Sequence, residues 1–207
     1  MEMEGGGKGY GGFEVGRARI ALMPGSREAE IDALWGPMQR IALRLKERYR
    51  QASFTTVAVD GERKEVLQAG EINGFECEYV IGAINEAARG ADFAIVASGS
   101  ATLQVAAAGC PMVIMYQSSR LLWGLMGWWL IKSRHLSLVN ILAGREVVPE
   151  FMPYFSSIEP IVGAIENLLE DGDRLNQISG ELVRLVEPLA ERKASEQVAE
   201  AALTMLG

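Results

Sequence analysis

Phe93-Ala94-Ile95-Val96-Ala97-Ser98-Gly99-Ser100-Ala101-Thr102-Leu103-Gln104 decides how this chain folds. Phe93 to Ala97 is short, apolar and rich in strand-favouring residues, the pattern of a strand buried on both faces. Ser98 to Ser100 is a turn of small residues. Ala101 to Ala108 has helical composition, and Gly109 followed by Pro111 stops it. The unit is therefore strand, small-residue turn, helix N-terminus. In an open parallel sheet, ligands bind at such a junction. Free backbone N–H groups and the helix dipole there favour an anion such as phosphate. The same small residues also let a strand turn tightly into a helix without binding anything. The stretch alone leaves both readings open.

The pattern is repeated upstream. Arg19 to Met23 reads as the first strand, and Pro24-Gly25-Ser26-Arg27 turns into a helix. Ile31, Leu34, Trp35, Met38, Ile41, Leu45 and Tyr49 recur there at three- and four-residue steps. Gly36-Pro37 interrupts them, which predicts a kink or a short first helix. Ser26 suits the N-cap. Arg27 in the first turn is opposed by the helix dipole, so a bound anion would justify it. An ordinary surface arginine is the plain alternative. Phe54 to Val59, Tyr79 to Ile81 and Met112 to Tyr116 read as further strands. Gly61 to Cys77 reads as a helix and loop, and Asn85 to Arg89 as a helix. Strands and helices alternating with short connections predict an α/β fold, a Rossmann-like, doubly wound parallel sheet.

Two regions flank this core. Residues 1–16 are glycine-rich without periodicity and read as a disordered lead-in, so the domain proper would span 17–207. After Ser157 the pattern is helical, with helices expected over Ile158 to Glu170, Arg174 to Val186 and Ala194 to Leu206.

Composition narrows the chemistry. With 207 residues and 49% hydrophobic content the chain can bury a substantial core. A net charge of −7 argues against general nucleic-acid binding. The two cysteines, Cys77 and Cys110, make no metal or disulfide framework and read as small apolar residues in a reducing compartment. The single histidine, His135, leaves a His-based triad or multi-His metal site without its parts and reads as structural or interfacial. Met1-Glu2-Met3-Glu4 does not read as a signal peptide. No Asp or Glu occurs from Phe93 to Arg145, a span that carries Arg120, Lys132, Arg134 and Arg145. Burial explains the first part of that span. The second part points to an anionic ligand or a membrane surface. Trp123, Trp128 and Trp129 stand beside Lys132 and Arg134 in a run that is apolar nearly all round. That composition suits a buried core helix and a helix lying in a membrane interface equally well.

Four motifs in order carry a resemblance: Leu22-Met23-Pro24-Gly25-Ser26-Arg27 with Glu30-Ile31; Ser98 to Leu103; Pro111-Met112-Val113; and Asn140 to Arg145 with Val148-Pro149-Glu150-Phe151. In this order and spacing the chain, from about Ile20 onward, resembles the C-terminal half of the lipid-A-disaccharide synthases, glycosyltransferases of the GT-B class. The resemblance implies two Rossmann-like domains facing a cleft, of which this chain is the donor-binding one. The implied donor is UDP-2,3-diacylglucosamine and the implied acceptor 2,3-diacylglucosamine 1-phosphate. Gly25, Ser26 and Arg27 would approach the diphosphate, with Arg27 neutralising charge on the UDP leaving group. Ser98, Gly99, Ser100, Ala101 and Thr102 would line the nucleotide. Asn140, Arg145 and Glu150 would belong to the donor pocket. Trp123, Trp128, Trp129, Lys132 and Arg134 would meet membrane or acyl chains, on an enzyme peripheral to the inner membrane from the cytoplasmic side. No metal and no cofactor are implied.

Two departures qualify the resemblance. The family has Glu where this chain has Gln104, placed to accept hydrogen bonds from the ribose hydroxyls. The family's N-terminal half, with its acceptor site and Asp base, has no counterpart in Met1 to Gly16. The expected partners are therefore an N-terminal-half chain or a second copy of this one. Three functions fit: the donor half of a lipid A glycosyltransferase; a non-catalytic module that holds a UDP-sugar or a membrane surface; or another UDP-sugar transferase or epimerase of the same fold.

Overall fold

The structure, a computed structural model, describes residues 7–117 and 135–206, with side chains as far as Leu189. The expected membrane-contact residues Trp123, Trp128, Trp129, Lys132 and Arg134 lie outside the described residues, as do 1–6.

Six parallel strands form one sheet in the order β3-β2-β1-β4-β5-β6. They are β1 (Arg19–Met23), β2 (Ser53–Ala58), β3 (Glu78–Ile81), β4 (Phe93–Ala97), β5 (Met112–Met115) and β6 (Glu150–Phe151). The order reverses between β1 and β4, which pair with Ile20 opposite Phe93 and Met23 opposite Val96. β4 and β5 are buried at every residue, as a strand covered on both faces must be. Side chains alternate between two cores. Ile20 and Leu22 join the one beneath α1 (Glu28–Arg48), α2 (Gly61–Ala69) and α6 (Glu159–Leu169). Ala21 and Met23 join the one beneath α3 (Ile84–Gly90), α4 (Ala101–Ala107), α5 (Leu138–Ala143) and α7 (Gly172–Leu206). The doubly wound, Rossmann-like sheet matches the expected fold class.

Three local expectations fail, each for a physical reason. α1 runs through Pro37 as a single helix of 21 residues. An interior proline costs about 3 kcal/mol. Ile31, Leu34, Trp35, Met38, Ile41 and Leu45 are all buried along the same stripe, and each contributes about 1.5–3 kcal/mol. Trp35 Nε1 also donates to Leu67 O at 2.8 Å, and buried Gln39 bonds Gly70 O and Ile72 N. The two helices expected after 174 are one continuous helix, α7, which passes Pro188. Residues 189–193, Leu-Ala-Glu-Arg-Lys, are strong helix formers, so one lost bond does not end it.

The third concerns only the described part of the expected lead-in: residues 7–17 form a docked strap. Tyr10 is buried, donates its hydroxyl to Asp92 O at 2.7 Å, and bonds Asn176 on α7 through its amide. Lys8 reaches the carbonyls of Ala88 and Ala91 at the end of α3, and its amide donates to Ser179 Oγ. Glycine is needed here for close approach: a Cβ at Gly7 would fall 2.7 Å from the Gly180 nitrogen.

Candidate functional site

The sheet's reversal point fixes the site. Strands β1 and β4 end side by side, and their following loops, Pro24–Arg27 and Ser98–Ser100, rise at the same edge. Between them lies a cavity of about 410 Å³. Gly25, Ser26, Arg27, Ser98, Gly99, Ser100, Ala101 and Gln104 all line it. Eight of the residues expected at the site are thus brought together by the topology alone.

Each loop has a definite shape. Gly25 turns with φ +108°, a conformation open to glycine. Arg27, not Ser26, is the N-cap of α1. Glu30 Oε2 accepts from the amides of Ser26 (3.0 Å) and Arg27 (3.2 Å), and Arg27 Nη1 lies 3.3 Å from Glu30 Oε1. The Arg27 side chain is otherwise out in the solvent, 83% exposed. In the other loop, Ser98 N is bonded to Met115 O, and Thr102 N to Gly99 O. The amides of Gly99, Ser100 and Ala101 have no acceptor among the described residues. This half of the cavity therefore offers hydrogen-bond donors, one guanidinium and the Gln104 amide, a set suited to phosphate and hydroxyl oxygens; Glu30 lines it too, its carboxylate engaged by the first loop.

The opposite wall was not read from the sequence. Val57, Ala58 and Val59 from the end of β2, with Gly82 and Ile84 after β3, make an apolar side to the cavity. Nothing in the sequence marks them out, because a strand's last residues look alike whether a ligand or a helix covers them.

Four expected residues stand elsewhere. Thr102 is fully buried and donates its hydroxyl to Gly99 O at 2.7 Å, so it shapes the turn from beneath. Asn140 is fully buried in a separate cluster, bonding Val147 N, Val148 N, Val148 O and Glu150. Glu150, on β6, accepts from the amides of Leu136 (2.9 Å) and Ser137 (3.1 Å). Burial pushes its carboxyl up, but the hydrogen bonds from the Ser137 side chain, the two amides and Asn140 outweigh that and hold it below the ordinary value. His135 Nδ1 lies 4.0 Å from the same carboxylate. Arg145 pairs with Glu181 on α7. None of these four lines the cavity.

Among the described residues no cluster of three or more His, Cys, Asp or Glu could hold a metal ion, and no helix is long and apolar enough to cross a membrane.

A family model described as lipid-A-disaccharide synthetase matches residues 12–205. The chain belongs to the lipid-A-disaccharide synthase family. The Geobacter sulfurreducens lipid-A-disaccharide synthase is 32% identical over 200 residues, covering 95% of this chain and 51% of that protein. The Neisseria meningitidis serogroup C lipid-A-disaccharide synthase is 34% identical over 200 residues, covering 95% and 52%. The chain thus spans about half the length of the family members it matches. Solved structures share the fold: a MnaA–UDP co-structure from S. aureus (TM-score 0.50, 14% identity, 79% of this chain and 39% of that one) and a GtfA/B complex (TM-score 0.52, 12% identity, 83% and 33%).

Proposed function

We propose that this chain supplies the nucleotide-sugar donor site for forming the lipid A disaccharide. The observation that carries the reading is the cavity at the reversal point, lined both by Arg27 and by Gly99, Ser100 and Ala101, whose amides have no acceptor among the described residues. The family points to UDP-2,3-diacylglucosamine as donor and 2,3-diacylglucosamine 1-phosphate as acceptor. In such a transfer an acceptor hydroxyl oxygen bonds to the anomeric carbon while the bond to the UDP oxygen breaks. Negative charge gathers on the diphosphate, and Arg27 with the amides of the second loop stabilises it. Gln104 hydrogen-bonds the ribose hydroxyls. The acceptor site and the base fall to the half of the family's length that this chain does not span, so transfer needs that half as well, whether it is joined to this chain or carried by a partner. The Trp123 to Arg134 segment is assigned to the lipid surface, which sets the protein on the cytoplasmic face of the inner membrane. The UDP in the S. aureus co-structure is consistent with a fold suited to this ligand.

Calorimetric titration of UDP into the wild type and Arg27→Ala tests the donor site. Losing one charge-assisted contact should weaken binding about tenfold or more. No heat from folded wild-type protein at millimolar UDP overturns the reading.

Gln104 in place of the family's Glu supports a second reading, a module that holds a UDP-sugar without transferring it. Adding the N-terminal half of a relative and assaying disaccharide formation separates the two. Transfer favours the enzyme; UDP binding without transfer favours the module.

A further inference from the structure

Glu30 is engaged with the cavity loop more closely than its place in a helix requires. An acid three residues into a helix commonly accepts from the N-cap amide, here that of Arg27. Glu30 also takes the amide of Ser26 at 3.0 Å and stands 3.3 Å from the Arg27 guanidinium. The two side chains differ sharply in cover, Glu30 being 16% exposed and Arg27 83%. Gly25 makes the arrangement possible: a Cβ there would fall 2.5 Å from Glu30 Oε2 and 2.8 Å from Glu30 Cβ.

Two consequences follow. The amides of Ser26 and Arg27 are already bonded to Glu30 and are not available to a phosphate, so this loop's contribution to an anion is the guanidinium. Both residues line the cavity, but the carboxylate is mostly covered and bonded to the turn while the guanidinium stands in solvent, so Arg27 is the more accessible of the two to an incoming anion.

Resting on the donor-site reading, we infer that Glu30 is a positioning residue: by holding the amides of Ser26 and Arg27 it shapes the turn and aims the Arg27 guanidinium at the diphosphate of a bound nucleotide. Glu30 touches no reacting atom in this arrangement and acts through Arg27.

Amide NMR of the whole chain reads the effect, with UDP and uridine as probes. Glu30→Ala should weaken UDP about tenfold, comparable to the loss of a charge-assisted contact, and leave uridine unchanged, since uridine lacks the diphosphate. Glu30→Gln keeps an acceptor for the two amides and should retain most of the affinity. Combining Glu30→Ala with Arg27→Ala should cost no more than Arg27→Ala alone, because both act through one contact. UDP binding to Glu30→Ala at wild-type strength or tighter overturns the inference, the tighter case marking Glu30 as an internal competitor for the anion. So does an equal loss for uridine, or additive losses in the double variant. Amide exchange at Ser26 and Arg27 gives a reading that needs no nucleotide. It should quicken in Glu30→Ala, and unchanged exchange overturns the inference. A wild type that binds no UDP defeats the donor-site reading instead.

Discussion

The side-chain amide of Asn140 donates to the Glu150 carboxylate across 3.0 Å, and that bond closes a buried knot between α5 and β6. Asn140 Nδ2 also bonds Val148 O at 2.8 Å, and its Oδ1 accepts from Val147 N at 2.8 Å and Val148 N at 3.2 Å. Asn140→Ala leaves two buried amides unbonded and removes a donor from Glu150. Each orphaned buried group costs about 1–3 kcal/mol, so the variant should lose about 2–6 kcal/mol of stability. Urea denaturation should show a lower midpoint with an unchanged slope. Wild-type stability in this variant would remove the structural role.

The same knot makes a pH prediction. Glu150 is held below the ordinary carboxyl value because its hydrogen bonds outweigh the cost of burial. A group depressed in the fold adds stability above its unfolded pKa, and that stability is lost as pH falls through the native value. Wild-type stability should therefore decline as pH drops below about 4.3, the unperturbed glutamate value. Glu150→Gln should start less stable and decline less steeply over that window. Glu170, held low by Arg48 and Tyr49, titrates there too and is common to both proteins, so the difference in slope isolates Glu150. Parallel curves would show that Glu150 does not titrate abnormally.

What was legible in the sequence follows from which forces are local. The strands ending at Met23 and Ala97 and the small-residue turns after them declare themselves through apolar runs and Gly/Ser composition, and those signals alone assembled most of the cavity. Residues 138–151 did not declare α5 and β6, because their shape is set by Asn140 bonding backbone ten residues away or fewer but through a buried side chain. A motif records that a residue matters, not whether it faces the cavity or braces it, so the sequence does not separate Thr102 and Asn140 from the residues that line the cavity. Glycine misled in residues 7–16. Without a structure, a glycine that permits close packing on α7 cannot be told from one that loosens the chain.

That strap gives a stability prediction. Tyr10 is 6% exposed, packs on Phe13 edge to face at 5.6 Å, and bonds both Asp92 and Asn176. Truncating a buried aromatic to alanine costs about 3–5 kcal/mol. Tyr10→Ala should fall in that range, and Tyr10→Phe, which loses only the hydroxyl bond, should cost about 0.5–1.5 kcal/mol. Thermal melts of both variants check the order. A Tyr10→Ala protein that melts with the wild type would mean the strap is not held in solution.

Gln104 offers the sharpest test of how the cavity meets its ligand. It lines the cavity from the α4 side, just beyond the turn that offers the free amides. On the donor-site proposal, a neutral amide at this position would accept one ordinary hydrogen bond from a ribose hydroxyl, whereas a carboxylate would make a charge-assisted one, roughly twice as strong. The net gain should be about 1 kcal/mol, or about fivefold in affinity. Added negative charge near the diphosphate opposes this gain, and Arg27 in the same cavity, already paired with Glu30, offsets only part of that opposition. Gln104→Glu should therefore tighten UDP by at most about fivefold while changing 2′-deoxy-UDP less, since one of the two hydroxyls is missing. The two nucleotides titrated against both proteins give the comparison. Equal gains for both would move the contact away from the 2′-hydroxyl, and weaker binding of both would turn Gln104 toward the phosphates, making its neutrality the feature that lets this chain hold an anion.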